Sequence, residues 1–411
     1  MLISLLLRIG WCTEGAKIIE ICQKGDALLG EEVGKVYKGN KKLSKGIGHP
    51  TTVSPSSYVT PYTPLVSDTA EAETELKANE VVKIQLGAQI DGFCTIVCDS
   101  IVVGVGEKVE GREADLMLAT YYANELLLRM MVPPGLLSTG TEEEKKAAPA
   151  EKAFSQQKMS QLLEKVAKSY DCNIVESTTS WQFERNEIEG KKKIILAPSE
   201  GNRGDGLPEV GDVFGVEIGV SLGSGKQKTL DKRTTLHRRT ATTYQLKRPS
   251  SRALLSEIVA EHKTFPFSLR QLKDERAGKV GIVECVRSGV VRSYEVVGDK
   301  DDKPVGRLFS TVGLKISFGL LYEIHANRSL AITKNGVQLL SAPPKPDLSK
   351  FVSDKKITDE EVLKLLERPI ARNTGTKSKS KKKKKKPAKK AAAAAADGDD
   401  DDDDDEDEDD E

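Results

Sequence analysis

Apolar residues recur at helical spacing over residues 13–38, where Ile18, Ile19, Cys22, Leu28, Leu29 and Val33 form one stripe. A lysine-rich connector follows (Lys35, Lys38, Lys41, Lys42, Lys45). The next stretch, GIGHPTTVSPSSYVTPYTPL, is rich in Pro, Ser and Thr and predicts loop or edge structure. From 79 to 109 the period changes, and NEVVKIQLGAQIDGFCTIVCDSIVVGVG reads as two strands around an Asp91-Gly92 turn. Residues 112–132 return to helical spacing and stop at Pro133-Pro134-Gly135. A polar loop is expected at 138–152, a helix at roughly 154–169, and strands at 192–197 and 212–221. Within 250–275, SRALLSEIVAEHK predicts a helix, with a second short one after Pro266. Residues 279–293 and 305–340 read as strands, with Asn335-Gly336 as a hairpin turn. Thr358-Asp359-Glu360-Glu361 is a capping-box pattern ahead of the helix VLKLLE, which Pro369 stops. The mixture of hairpins and helices predicts an α+β domain over residues 1–370 and a disordered tail beyond it.

Composition narrows the class. The 411 residues are 38% hydrophobic and 31% charged, enough for a sizeable core and unlike a collagen-like or multi-pass membrane chain. The opening MLISLLLRIGWC is too short to span a membrane and is interrupted by Arg8; it predicts the front of a buried helix rather than a signal peptide. Six cysteines (Cys12, Cys22, Cys94, Cys98, Cys172, Cys285) show neither a disulfide-scaffold spacing nor a CxxC pair, so they are expected as reduced, mostly buried thiols of a cytosolic or nuclear protein.

The formal net charge of +0 conceals an asymmetry. Ten lysines and Arg372 precede 14 acidic residues packed into 397–411. Such a tail cannot bury itself and suits a nuclear-import signal or nucleic-acid arm, with the acidic block able to bind basic proteins. Within the body, residues 226–252 hold Lys226, Lys228, Lys232, Arg233, Arg238, Arg239, Lys247, Arg248 and Arg252 against one acid, Asp231, with Tyr244 as a stacking face. That imbalance suits phosphate neutralisation with counterion release. Lys41 and Lys42 add to it. Other chemistry is sparse. The four histidines (His49, His237, His262, His325) form no metal-ligand pair, and GSGK at 223–226 fails as a phosphate loop because Val220 and Gln227 stand where Gly and Ser or Thr are required.

The strand VVKIQLGAQIDGFCTIV, with GDALLGEEVGKVYK and KGIGHPTTVSPSSYVTPYTP upstream and FPFSLRQL and VGIVECVRSGVV downstream, resembles the proliferation-associated and curved-DNA-binding proteins, relatives of type II methionine aminopeptidases. The resemblance runs from about 13 to 345, with its segments in the family's order and spacing. It implies the pita-bread α+β fold over 1–350, two βαβ-like halves around a curved sheet, with a partly helical type II insert at about 226–300. A C-terminal helix at 351–370 and the tail at 371–411 follow. Against the family the opening helix is short, as if the usual N-terminal segment were missing or replaced, and the acidic terminus is unusual.

The aminopeptidases hold two metal ions with two Asp, one His and two Glu. Carried over position by position, the first Asp of the K-I-D-x-G strand falls at Gln85, the second at Ile96, the His at Trp181 and the last Glu at Phe309. Only the first Glu is kept, as Glu217 in FGVEIGV, and an upstream active-site His falls at Pro61. Asp91 lies in the turn, and strand alternation turns Asp99 away from a pocket faced by Ile96. One carboxylate remains where two divalent cations need three or four, so no metal, other cofactor or catalytic residue is expected. The resemblance implies a non-catalytic protein of nucleus and cytoplasm that binds ribosomal or structured RNA, curved DNA or both. It implies association with the large ribosomal subunit and a role in growth or ribosome biogenesis, with no membrane partner. A protein-interaction adaptor or chaperone-like factor is the alternative, and an active metallo-aminopeptidase the least favoured reading.

Overall fold

The structure, a computed structural model, describes residues 10–40, 42–104, 108–131, 153–209, 211–313 and 337–370. The chain divides into two units, Met1–Thr374 and Gly375–Glu411, and every described residue lies in the first. Residues 1–9, Lys41, the Pro133-Pro134-Gly135 stop, the polar loop at 138–152, the 314–336 part of the expected strand region with His325 and Asn335-Gly336, and the charged tail fall outside the described residues.

The centre is a nine-stranded antiparallel sheet. Its main path runs β1 (Lys45–Pro55), β2 (Val81–Ile90), β3 (Phe93–Val102), β13 (Val305–Gly313), β7 (Val213–Ser221), β5 (Thr178–Phe183) and β6 (Lys193–Leu196). Two short strands, β4 (Asn173–Ile174) and β14 (Gln338–Ser341), pair with β7 and β13. The β2–β3 hairpin turns on Asp91 and Gly92, both at positive φ, the conformation a two-residue primed turn requires. Alternation along the strands sorts the two faces. Val82, Ile84 and Leu86 of β2 pack with Ile18, Ile21, Cys22, Leu29 and Val33 of α1 (Ile18–Lys35). Phe214, Val216, Ile218 and Val220 of β7 and Leu308 and Val312 of β13 pack with α2 (Gly111–Met130) and α3 (Gln156–Lys168). A C-terminal helix, α6 (Glu360–Glu367), adds Val362 and Leu365 to that layer. Each such fully buried aliphatic contributes roughly 1.5–3 kcal/mol. The opposite face carries the intervening residues: Gln85, Ile96, Cys98, Glu217, Arg307 and Phe309. This is the α+β, pita-bread arrangement expected from the sequence.

Between β7 and β13 the chain builds smaller elements. Strand β8 (Gln227–Thr229) pairs with β12 (Val297–Asp299), and β9 (Leu236–Arg239) lies between β10 (Phe267–Ser268) and β11 (Val291–Tyr294). Helices α4 (Pro249–Glu257) and α5 (Glu275–Arg287) pack against each other, with Leu254, Ile282 and Cys285 in one buried cluster that also takes in Ile258 just after α4. A buried polar clasp holds this region to the N-terminal half. Arg270 bonds Asp26 at 2.8 Å, the Thr51 carbonyl at 2.8 Å and the Thr63 hydroxyl at 2.7 Å. Asp26 also accepts from the Thr51 amide at 2.6 Å and from Gln271 at 2.7 Å. Arg270→Ala is expected to cost about 2–3 kcal/mol, because Asp26 loses its counter-charge but keeps its two other donors; a urea midpoint unchanged within error would contradict this.

One expectation needs correction. Residues 279–293 are not a strand: α5 occupies Glu275–Arg287, and only Val291–Tyr294 is extended. The run VGIVECV is short and rich in β-branched residues, so its pattern fits either period. The deciding signals were Asp274, whose side chain caps the Ala277 amide, and burial at Gly278, Gly281, Ile282 and Cys285. The Pro/Ser/Thr-rich segment is extended over Lys45–Pro55 and forms the edge strand β1, where register shifts on either side of His49 accommodate Pro50. All six cysteines are free, and five are buried. Among the described residues no helix is long and apolar enough to cross a membrane.

Candidate functional site

The face of the sheet opposite the helices converges on the joint between β3 and β13. These two strands share one registered pair, Cys98 with Phe309. Side chains complete the joint: Ser100 Oγ donates to the Arg307 carbonyl at 2.7 Å and accepts from its amide at 2.8 Å. Thr311 Oγ1 likewise donates to the Ile96 carbonyl at 2.7 Å and accepts from the Ile96 amide at 2.8 Å. The sheet's two halves are therefore bridged here largely by hydroxyls.

Arg307, 3% exposed, points from β13 across this joint. Its Nε donates to Glu217 on β7 and its Nη2 to the Gln85 side-chain oxygen on β2. Gln85 Nε2 lies 2.9 Å from His49 Nε2, and His49 Nδ1 lies 2.7 Å from the Pro50 carbonyl. A carbonyl only accepts, so Nδ1 carries the proton and Nε2 accepts from Gln85. The chain Glu217–Arg307–Gln85–His49–Pro50 is consistent in polarity only if His49 is neutral. Burial pushes His49 down to about 4, against the favourable Pro50 bond and with added repulsion from Arg307. Two residues along β2, Lys83 is 1% exposed and donates to the Ser56 carbonyl at 2.5 Å; burial pushes it down to about 7.

The remaining positions are apolar. Ile96, Phe183, Phe265 and Phe309 form one buried cluster with Cys94 and Cys98, against which Trp181 packs. The Phe183 and Phe309 rings sit 6.3 Å apart. Gly215 makes room for them: a Cβ there would lie 2.4 Å from Phe309 and 2.6 Å from Phe183. Trp181 is half-buried with the Lys193 ammonium 5.6 Å from its ring centre, and Pro61 lies outside the strands.

These residues do not fit a pair of divalent metals. The single carboxylate already neutralises a guanidinium, Gln85 is engaged on both sides of its amide, and aromatic or aliphatic side chains fill the rest. Among the described residues no three His, Cys, Asp or Glu side chains come together as ligands. Sequence reasoning placed Gln85, Ile96, Trp181, Glu217 and Phe309 but missed Arg307 and His49. An arginine inside the strand VGRLFSTV, at an inward position, was the available signal.

The basic segment is divided by the fold. Lys228 pairs with Asp302 at 2.6 Å, Lys232 with Glu71 at 2.5 Å and Arg233 with Asp68 at 2.8 Å. Arg238 is 7% exposed and bonded to Glu187 and Glu189. Arg252 donates to the carbonyls of Leu246 and Lys247. Lys226, Arg239, Lys247 and Arg248 enter no ion pair among the described residues, nor does the exposed Lys42. Tyr244 is 48% exposed. Lys226 flanks β8, Arg239 ends β9, and Lys247 and Arg248 precede α4.

Among known proteins, the curved DNA-binding protein of Schizosaccharomyces pombe is 38% identical over 364 residues, 87% of this chain and 84% of the relative. A potato protein named ERBB-3 binding protein 1 is 34% identical over 335 residues, 80% of each chain. The solved structure of a thermophilic Arx1 is 59% identical, covers 90% of this chain and 95% of its own, and superposes with a TM-score of 0.82. No family model matches the chain.

Proposed function

The chain belongs to the family of curved-DNA-binding and proliferation-associated proteins, and from that premise we propose that it is a non-catalytic member that binds nucleic acid. The observation carrying the non-catalytic part is the Arg307–Glu217 pair inside the former ligand cage. Nucleic-acid binding is supported by the unpaired cations Lys226, Arg239, Lys247 and Arg248, and by the name of the fission-yeast relative. The proposal extends to ribosomal or structured RNA as well as curved DNA, to association with the large ribosomal subunit, and to a role in growth or ribosome biogenesis in nucleus and cytoplasm.

Salt titration of binding to ribosomal RNA and to duplex DNA tests it. Changing Lys226, Arg239, Lys247 and Arg248 together to alanine is expected to flatten the log–log salt slope by about 3 and weaken binding across sequences, since each lost phosphate contact removes about 0.7–0.9 from the slope. An unchanged slope would exclude these four residues. The same titration on a chain ending at residue 370 separates their contribution from that of the tail lysines. An adaptor function is the second reading, favoured by Val280 and Val283, which α5 exposes at 55% and 49% one turn apart. A protein partner retained after nuclease treatment would support it.

A further inference from the structure

We infer that the Arg307 guanidinium is the resident cation of this protein's former metal centre, tying the two halves of the sheet together by ion pairing and hydrogen bonding. Three observations carry this. First, Arg307 reaches residues that the fold places on different sides of the β3–β13 joint: Gln85 on β2 and Glu217 on β7. Second, the backbone at that joint has one registered pair, so the side-chain bridges through Ser100, Thr311 and Arg307 make much of the connection. Third, charge balances locally. Glu217 is the carboxylate that Arg307 reaches, and a single guanidinium compensates it where two divalent ions would not be compensated.

Arginine suits this place better than a small ion would. Its planar fork presents donors in fixed directions, so one group can serve a carboxylate and an amide oxygen at once. Its Nη1 has no acceptor among the described protein groups, so the site is not saturated. Arg307 is itself buried, which makes loss of its partner costly, while the Glu217 side chain keeps 22% of its surface exposed.

The inference rests on the non-catalytic part of the proposed function and is tested separately from it. The full chain and its Arg307→Ala variant are compared by thermal unfolding, with and without millimolar methylguanidinium, with sodium chloride at equal ionic strength as control. Arg307→Ala is expected to lower Tm by roughly 5 °C or more. Methylguanidinium should restore a saturable part of that loss in the variant and leave the unsubstituted chain unmoved. Equal Tm values for the two chains would overturn the inference, as would a methylguanidinium effect of the same size on both. If Arg307→Ala does not fold, Glu217→Gln takes its place: it keeps the shape and removes the counter-charge. A fall in Tm supports the inference, and an unchanged Tm overturns it. Stoichiometric uptake of manganese, cobalt or zinc by the unsubstituted chain, with a rise in Tm, would also overturn it. Release of N-terminal methionine from a short peptide would overturn the non-catalytic reading, whatever the Tm values.

Discussion

Replacing Glu189 by alanine is expected to lower the unfolding free energy by about 3–5 kcal/mol, one of the largest single losses available outside the apolar core. Glu189 is the shared acceptor of three donors: Arg238 Nη2 at 3.1 Å, Arg292 Nη1, and the Tyr294 hydroxyl at 2.8 Å. Its side chain is 10% exposed and that of Arg238 8%. Truncation leaves Arg238 with Glu187 alone, and its Nε is already buried without an acceptor. It also removes the acceptor of the Tyr294 hydroxyl, and each buried donor left unmade costs about 1–3 kcal/mol. The same residues join the 184–190 segment to β9 and β11, so that contact should loosen with the substitution. Arg239→Ala, one residue along from Arg238, should change stability by no more than about 0.5 kcal/mol, because Arg239 makes no ion pair among the described residues. Urea unfolding of the two variants side by side is the check. A loss for Glu189→Ala no larger than that for Arg239→Ala would mean that the three donors are hydrated.

That contrast shows what sequence reasoning can reach. Sequence patterning located α3 and α6 because each buries one face, and β2, β7 and α2 because their nearly continuous burial leaves apolar runs bounded by turn residues or prolines. The same logic failed at α5, where a seven-residue β-branched run carries no decisive period. Charge counting along 226–252 found a surplus but could not place it. Partners for those cations lie far away in sequence: Glu71 for Lys232, Asp68 for Arg233, Asp302 for Lys228, Glu187 and Glu189 for Arg238. A local surplus is a surface only after the fold has assigned its counter-charges. Gln85 and Glu217 were singled out through a motif resemblance, and the fold brings both to one guanidinium. Arg307 was not singled out, because its partners Gln85 and Glu217 meet it only across the β3–β13 joint.

Acidification from pH 7 to 5 is the other change with a large expected effect, and it acts through buried histidines. His49 and His237 are each held at about 4, with burial the main cause; His262 is lowered for the same reason. Unfolded, a histidine titrates near 6.5. Between those values the unfolded chain takes up protons that the folded chain refuses, so stability falls as pH drops below about 6.5 and keeps falling towards 4. At pH 5 each of the two contributes a loss of about 2 kcal/mol. Asp99 works in the opposite direction: burial raises it to about 7, so the folded chain binds its proton first and gains stability over the same range. The unsubstituted chain therefore shows only the difference of these effects, and the histidine contribution must be read from variants. Combining His49→Gln with His237→Asn should make the loss between pH 7 and 5 smaller by about 3–4 kcal/mol, whereas Asp99→Asn should make it larger. The geometry agrees with the sign at His49, whose Nδ1 donates to the Pro50 carbonyl and whose Nε2 accepts from Gln85, leaving no acceptor for a second proton. Parallel stability curves for the double variant and the unsubstituted chain across this range would show that both imidazoles reach water in the folded state.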